Sequence, residues 1–220
     1  PKAWETYEVK EKKGKKFGEI EITLIGDRSG SMAESGGVKM IEQRKAGVLI
    51  MEALKEFIDL AEAERINLDK PLEVRSEIYT FQATGADGIP IKAMSPELSE
   101  KDRINVSAVL SSAPGSRTTD WVPLEAIERS LSADTKQKIN DGELKKIIIV
   151  FTDGESNGVQ QVKNVLERLR GMGVIVIGVG ITEVGRPALT TYAPNARLAE
   201  TADKLPIILA DLLKEHLADI

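Results

Sequence analysis

The sequence predicts an α/β domain with a doubly wound, mostly parallel sheet flanked by helices on both faces. Two observations carry that reading. Short runs of β-branched residues are apolar at consecutive positions, as in strands buried on both faces, and they alternate with stretches whose apolar residues recur at the helical period. The 220 residues suffice for one well-buried domain and are few for two.

Taken in order, "EIEITLIG" (Glu19–Gly26) is the first predicted strand, closed by Gly26. Val38 to Ala63 reads as a long helix, with Ile41, Val48, Met51, Leu54, Phe57, Ile58 and Ala61 near the helical period. "EVRSEIYTF" (Glu73–Phe81) is a second strand, and "GIPIKAM" a short edge strand held off by Pro90. Asp102 to Ser112 has a helical pattern. After the loop "APGSRTTD", a helix is expected from Val122 to Ser132, with Pro123 in its first turn, where a missing N–H costs little. Lys146–Phe151 is the clearest strand. "VQQVKNVLERLRGMG" is an amphipathic helix ending at Gly171 or Gly173. Val174–Ile181 is a buried strand, an irregular stretch follows, and Ala202–Leu217 reads as a C-terminal helix. Residues 1–18 are expected to be a linker or edge segment, and 19–220 the folded domain.

Composition narrows the function. A net charge of -5 argues against nucleic-acid backbone as the main partner, and the run "KEKKGKK" (Lys10–Lys16) is read as a solvated stretch. With no cysteine, disulfides, thiolate metal sites and cysteine nucleophiles are ruled out, and a cytoplasmic setting is favoured. A surface or extracellular setting is the alternative if the chain is a piece of a larger protein. No apolar run is long enough to span a bilayer.

In an open α/β sheet, ligands bind outside the carboxyl ends of the strands. Three polar clusters fall there: "DRSGS" after the first strand, "TDG" (Thr152–Gly154) after the "IIIVF" strand, and "GSRTTD" before a helix. They offer carboxylates from Asp27 and Asp153 and hydroxyls from Ser29, Ser31 and Thr118 or Thr119. This all-oxygen set suits Mg²⁺, Mn²⁺ or Ca²⁺ and suits zinc or copper poorly. Gly30 is expected to let the loop turn both Ser hydroxyls to one point. Without a metal, the two Asp residues would read as helix N-terminal caps.

"DRSGSM", a downstream Thr before "PLEAI", and "FTDGES" after a buried strand resemble the metal-ion-dependent adhesion site of von Willebrand factor type A domains. The similarity in element order covers Glu19 to Leu217. The resemblance implies Asp27, Ser29, Ser31, Thr119 and Asp153 as the metal constellation, with Thr119 preferred to Thr118 for its spacing. It also implies Mg²⁺ as the cofactor, with Mn²⁺ or Ca²⁺ as alternatives, and an open position for a Glu or Asp from a protein partner. An AAA-type ATPase is one such partner, adhesion at a surface another role, and a C-terminal helix that moves on partner binding a further family trait.

An enzyme is not expected. The competing reading is a Mg²⁺-dependent phosphohydrolase with Asp27 as nucleophile, but the second acid that such enzymes place two residues on is here Ser29. The sole histidine, His216, is expected to cap C-terminal carbonyls. "GVGIT" (Gly178–Thr182) lacks the third glycine and the Lys-Ser/Thr of nucleotide loops. Arg28, Met32 and Trp121 are each read two ways: beside the metal or partner surface, or as ordinary surface and packing residues.

Overall fold

The computed structural model describes residues 18–63, 73–85 and 87–217. Its element order is β1 (Glu19–Asp27), α1 (Val38–Ala63), β2 (Glu73–Phe81), β3 (Lys92–Ser95), α2 (Glu100–Val109), α3 (Trp121–Ser130), α4 (Ala133–Asn140), β4 (Leu144–Thr152), α5 (Val159–Gly171), β5 (Ile175–Ile181), α6 (Ala188–Thr191), β6 (Ala196–Ala199) and α7 (Leu205–Leu217). Apart from Gly18, the expected N-terminal segment 1–18 lies outside the described residues.

The strands form one six-stranded sheet in the order β3-β2-β1-β4-β5-β6. Every pairing is parallel except that of β2 with β3. Chain order reverses direction across the sheet at β1 and β4, which are neighbours although far apart in sequence. Such a switch point opens a crevice at the carboxyl ends of the two strands.

Alternation of side chains along each strand sends successive residues to opposite faces. On one face Ile20, Ile22, Leu24, Ile147, Ile149, Ile177 and Val179 pack with Ala46 and Met51 of α1, Val106 of α2, and Leu205, Leu209 and Leu212 of α7. On the other, Ile25, Phe81, Ile148, Val150 and Val176 pack with Leu124 and Ile127 of α3, Val162, Val165 and Leu169 of α5, and Tyr192 after α6. Both faces are therefore dry, as the continuous apolar runs predict.

Two differences stand out. The face carrying Ile25 is not apolar throughout: Glu21, Thr23, Glu77 and Lys146 are also buried. They are tolerated because they satisfy one another. Lys146 Nζ lies 2.8 Å from Glu21 Oε2 and 3.5 Å from Glu77 Oε1, and Thr23 donates to Glu77 Oε1 at 2.6 Å. The second difference is that three elements, α4, α6 and β6, have no counterpart in the sequence reading. Ser132 caps α4 by accepting from the Thr135 N–H, a local signal present in the sequence. Strand β6 adds four residues at the sheet edge within the stretch read as irregular.

Candidate functional site

Asp27 is the last residue of β1, and Asp153 follows β4, so the two carboxylates meet at the mouth of the switch-point crevice. Asp27 is fully buried and its carboxylate is held on both oxygens. The Ser29 N–H donates to Oδ1 at 2.7 Å, and the Thr152 hydroxyl to Oδ2 at 3.2 Å. The Asp153 N–H lies 3.4 Å from the same Oδ2. From Asp27 the chain leaves the sheet into a 3-10 turn, Gly30–Ala33. Ser29, just before that turn, and Ser31 within it place their Oγ atoms 3.0 Å apart, and Ser31 Oγ donates to Asp153 Oδ1 at 2.6 Å. Four of the five expected ligands thus form one hydrogen-bonded cluster.

The fifth is differently engaged. The Thr119 hydroxyl donates to Asp87 Oδ2 at 2.5 Å and accepts from the Ala83 N–H at 3.0 Å, so its bonds run to the loop after β2. That loop and the one bearing Thr119 are pressed together. The Gly115 N–H donates to the Arg28 carbonyl at 3.0 Å, and a Cβ on Gly115 would come within 2.6 Å of the Gln82 carbonyl oxygen. A Cβ on Gly30 would in turn lie 3.2 Å from the Gly115 carbonyl oxygen. Gly30 therefore serves by letting two loops approach.

The loops after α2 and after β4 are also tied to each other. The Thr118 N–H donates to Asn157 Oδ1 at 2.7 Å, and the Asn157 N–H to the Thr118 carbonyl at 3.0 Å. Asp120 is buried and accepts from the Ser156 and Tyr192 hydroxyls. Burial pushes its carboxyl above the usual range, against those two bonds.

Two residues of α1 that sequence reasoning passed over complete the site. Gln43 brackets the Asp27 peptide group, accepting from its N–H at 2.9 Å and donating to its carbonyl at 2.8 Å. Lys39 places its ammonium 2.7 Å from Asp153 Oδ2 and 3.4 Å from the Ser31 carbonyl oxygen. Their signal was present: they stand four apart, on the stripe continued by the buried Ala46, where an apolar residue would be expected.

Electrostatically the two carboxylates differ: Asp153 is paired with the Lys39 ammonium, whereas the partners of the Asp27 carboxylate are neutral N–H and O–H donors. Burial pushes the Asp27 carboxyl up to about 7, aided by the Asp153 charge and opposed by the bonds from Ser29. A carboxylate withdrawn from water in this way favours a cation beside it. The oxygens present fit a hard divalent ion. The 3.0 Å between Ser29 Oγ and Ser31 Oγ matches the edge of about 3 Å that an octahedron with metal–oxygen bonds near 2.1 Å requires. Among the described residues no group of three or more His, Asp or Glu forms a metal cage, so the donor set rests on hydroxyls as much as on carboxylates.

The doubtful neighbours resolve into structural roles. Arg28 turns to the loop after α2, donating to the Ser112 carbonyl at 3.0 Å and to its hydroxyl at 2.8 Å. Met32 is fully buried in the core that includes α1. Trp121 is half-buried against the opposite core, its ring filling the space a Cβ on Gly158 would need. At the far end of the sheet, Lys145 donates to the His216 carbonyl, so the capping expected of the histidine falls to the lysine.

The von Willebrand factor type A domain model matches residues 21–206. An uncharacterized protein of Treponema pallidum (strain Nichols) is 26% identical over 214 residues, covering 92% of this chain and 35% of its own length. The chain thus spans about a third of that curated relative. Among solved structures, proximal thread matrix protein 1 from the mussel byssus, with a zinc-occupied metal-ion-dependent adhesion site, has a TM-score of 0.60 at 19% identity, covering 92% of this chain and 46% of the other. The pilus adhesin SpaC from Lactobacillus rhamnosus GG gives 0.62 at 16%, covering 90% and 30%. Manganese-loaded Plasmodium vivax TRAP protein gives 0.58 at 13%, covering 91% and 74%. At these identities the likeness is one of fold. With a match over most of its length and the sheet order described above, the chain belongs to the von Willebrand factor type A domain family.

Proposed function

We propose that the domain is a divalent-metal-dependent protein-interaction module that captures an acidic side chain of a partner. The observation that carries this reading is the cluster of Asp27, Ser29, Ser31 and Asp153 at the sheet's switch point. Asp27, Ser29, Ser31 and Asp153 would hold the ion, with Thr119 as the fifth ligand once its hydroxyl is released from Asp87. The ion, Mg²⁺ or alternatively Mn²⁺ or Ca²⁺, would supply a Lewis-acidic position open to a carboxylate. Gly30 is exposed and Ser31 half-buried, so an ion held beside them would be reachable from solvent. The protein residues themselves orient the oxygens and keep the carboxylates dry.

Two settings suit the module. One is a role beside an AAA-type ATPase in the cytoplasm, favoured by the cysteine-free, charge-rich composition. The other is adhesion at a surface, supported by the likeness in fold to the pilus adhesin and the byssal matrix protein. Among the described residues no helix is long and apolar enough to cross a membrane. An enzymatic role is not proposed: Ser29 stands where a phosphohydrolase would need its second acid, and its hydroxyl is shared with Ser31.

The test is calorimetric titration of Mg²⁺, Mn²⁺ and Ca²⁺ into chelator-treated protein, beside an Asp27→Ala/Ser29→Ala double variant. Binding by the wild type and its loss in the variant are expected. Retrieval of an acidic partner should then depend on the metal and fail in chelator. Equal binding by both proteins would overturn the assignment.

A further inference from the structure

The observation to be explained is the ammonium of Lys39. It reaches the cluster from the second residue of α1, with its side chain only 10% exposed, and ends 2.7 Å from Asp153 Oδ2. With Ser31 Oγ on Oδ1, both oxygens of Asp153 are engaged, one by a hydroxyl and one by a full positive charge. A hydrogen-bond donor alone would satisfy that oxygen. A buried charge does something more, because it is little screened by salt and acts on any other charge placed beside the same carboxylate.

We propose that Lys39 sets the affinity of the metal site, acting as a fixed positive charge that competes with the divalent ion for Asp153 and makes the loaded site cationic. This rests on the metal reading above. With Asp27 and Asp153 ionised, a divalent ion alone would bring the site to neutrality; with Lys39 the loaded site carries one net positive charge. The consequence has two sides. The ion is held weakly when alone, since it is repelled by the ammonium across a shared ligand. An anion entering the open position removes the excess charge, so metal and partner carboxylate reinforce one another.

Lys39 is a positioning and charge-setting residue in this account, and it takes no part as a ligand. Such a role gives a reason for a lysine on a stripe that also carries the buried Ala46. A purely structural Lys39 would make the opposite prediction, since removing a support of Asp153 loosens the site and weakens the ion.

The decisive measurement is the Mn²⁺ affinity of chelator-stripped wild type, Lys39→Met, Lys39→Gln, Lys39→Arg and Ser29→Ala proteins, read by calorimetry. Lys39→Gln keeps a donor for Asp153 without the charge, and guards against misfolding of the methionine variant. Both neutral variants are expected to bind Mn²⁺ about tenfold tighter than wild type, from the loss of like-charge repulsion, and Lys39→Arg to stay near wild type. Their thermal midpoints should also rise more on Mn²⁺ addition than the wild type's. Neutral variants that bind no tighter than wild type, while Ser29→Ala abolishes binding, would overturn the role of Lys39 and leave the metal site standing. If no protein in the series bound Mn²⁺, the metal reading itself would fall, and this inference with it.

Discussion

Asp27 shows how one buried carboxylate links the site to stability. Its carboxyl is pushed up to about 7, chiefly by burial, whereas an unfolded chain gives it an ordinary value of 3.8. Between these values the metal-free native state holds a proton that the unfolded state has released. Stability therefore falls as pH rises through that window. Asp120, raised for the same reason, adds to the effect. His216, held below its ordinary value by burial, opposes it at the mildly acidic end, while Asp102, Glu128 and Glu200 are lowered and act at lower pH. Urea unfolding in chelator should give a more stable protein near about pH 5 than near about pH 7.5. Asp27→Asn should flatten that slope, and an unchanged slope in the variant would assign it elsewhere. On the metal reading proposed above, saturating divalent ion should do the same by a different route, since an ion held there would need the carboxylate ionised. At this scale the clustering of Asp27, Ser29, Ser31 and Asp153 was legible because strand ends and Asp/Ser spacing are local features. Lys39 and Gln43 were marked only as polar residues on an apolar stripe, and Asp87 not at all, because what each bonds to is decided by tertiary packing.

The strands and long helices were read from periodicity with little error, and the reason lies in burial. A parallel strand covered on both faces leaves an apolar run with few interruptions, as in "IIIVF" of β4, and α1 was bounded at the same residues, Val38 and Ala63. The missed elements lack such a mark. Strand β6 has four residues, of which only Ala199 is buried, and α4 turns only Ile139 to the core. The pair Gly178 and Gly180 was ambiguous in the sequence and has a packing explanation in β5. A Cβ on Gly178 would sit 2.4 Å from Tyr192 Cγ, and one on Gly180 2.3 Å from the Gly185 carbonyl oxygen. Tyr192 is fully buried and anchored to Asp120, so it has no room to retreat. Gly178→Ala is accordingly expected to cost about 1–3 kcal/mol in urea unfolding. Since the displaced ring holds Asp120, the variant should also disturb the loop carrying Thr118 and Thr119. A variant as stable as the wild type would mean that α6 moves aside freely.

In the whole molecule the site lies on a seam. β1 leads one half of the sheet and β4 the other, and the two halves are joined along the β1–β4 pairing. At its carboxyl end that seam carries Asp27 from one half and Asp153 from the other, both fully buried, with the Asp153 charge adding to the burial that raises the Asp27 carboxyl. An ion bound to both would act as a bridge across the halves, present in the native state and absent once the strands separate. Ligand that binds only the native state stabilises it by mass action, about 2.7 kcal/mol at a free concentration a hundred times the dissociation constant. The surface exposed on unfolding is set by the two packed faces and not by the ion. Adding Mg²⁺ or Mn²⁺ should therefore raise the urea midpoint while leaving the slope of the transition unchanged. The gain should vanish in both Asp27→Asn and Asp153→Asn, because a bridge fails when either end is lost. A gain that survived in one of them would place the ion on a single half of the sheet. A changed slope would instead mean that metal alters how much of the chain unfolds together.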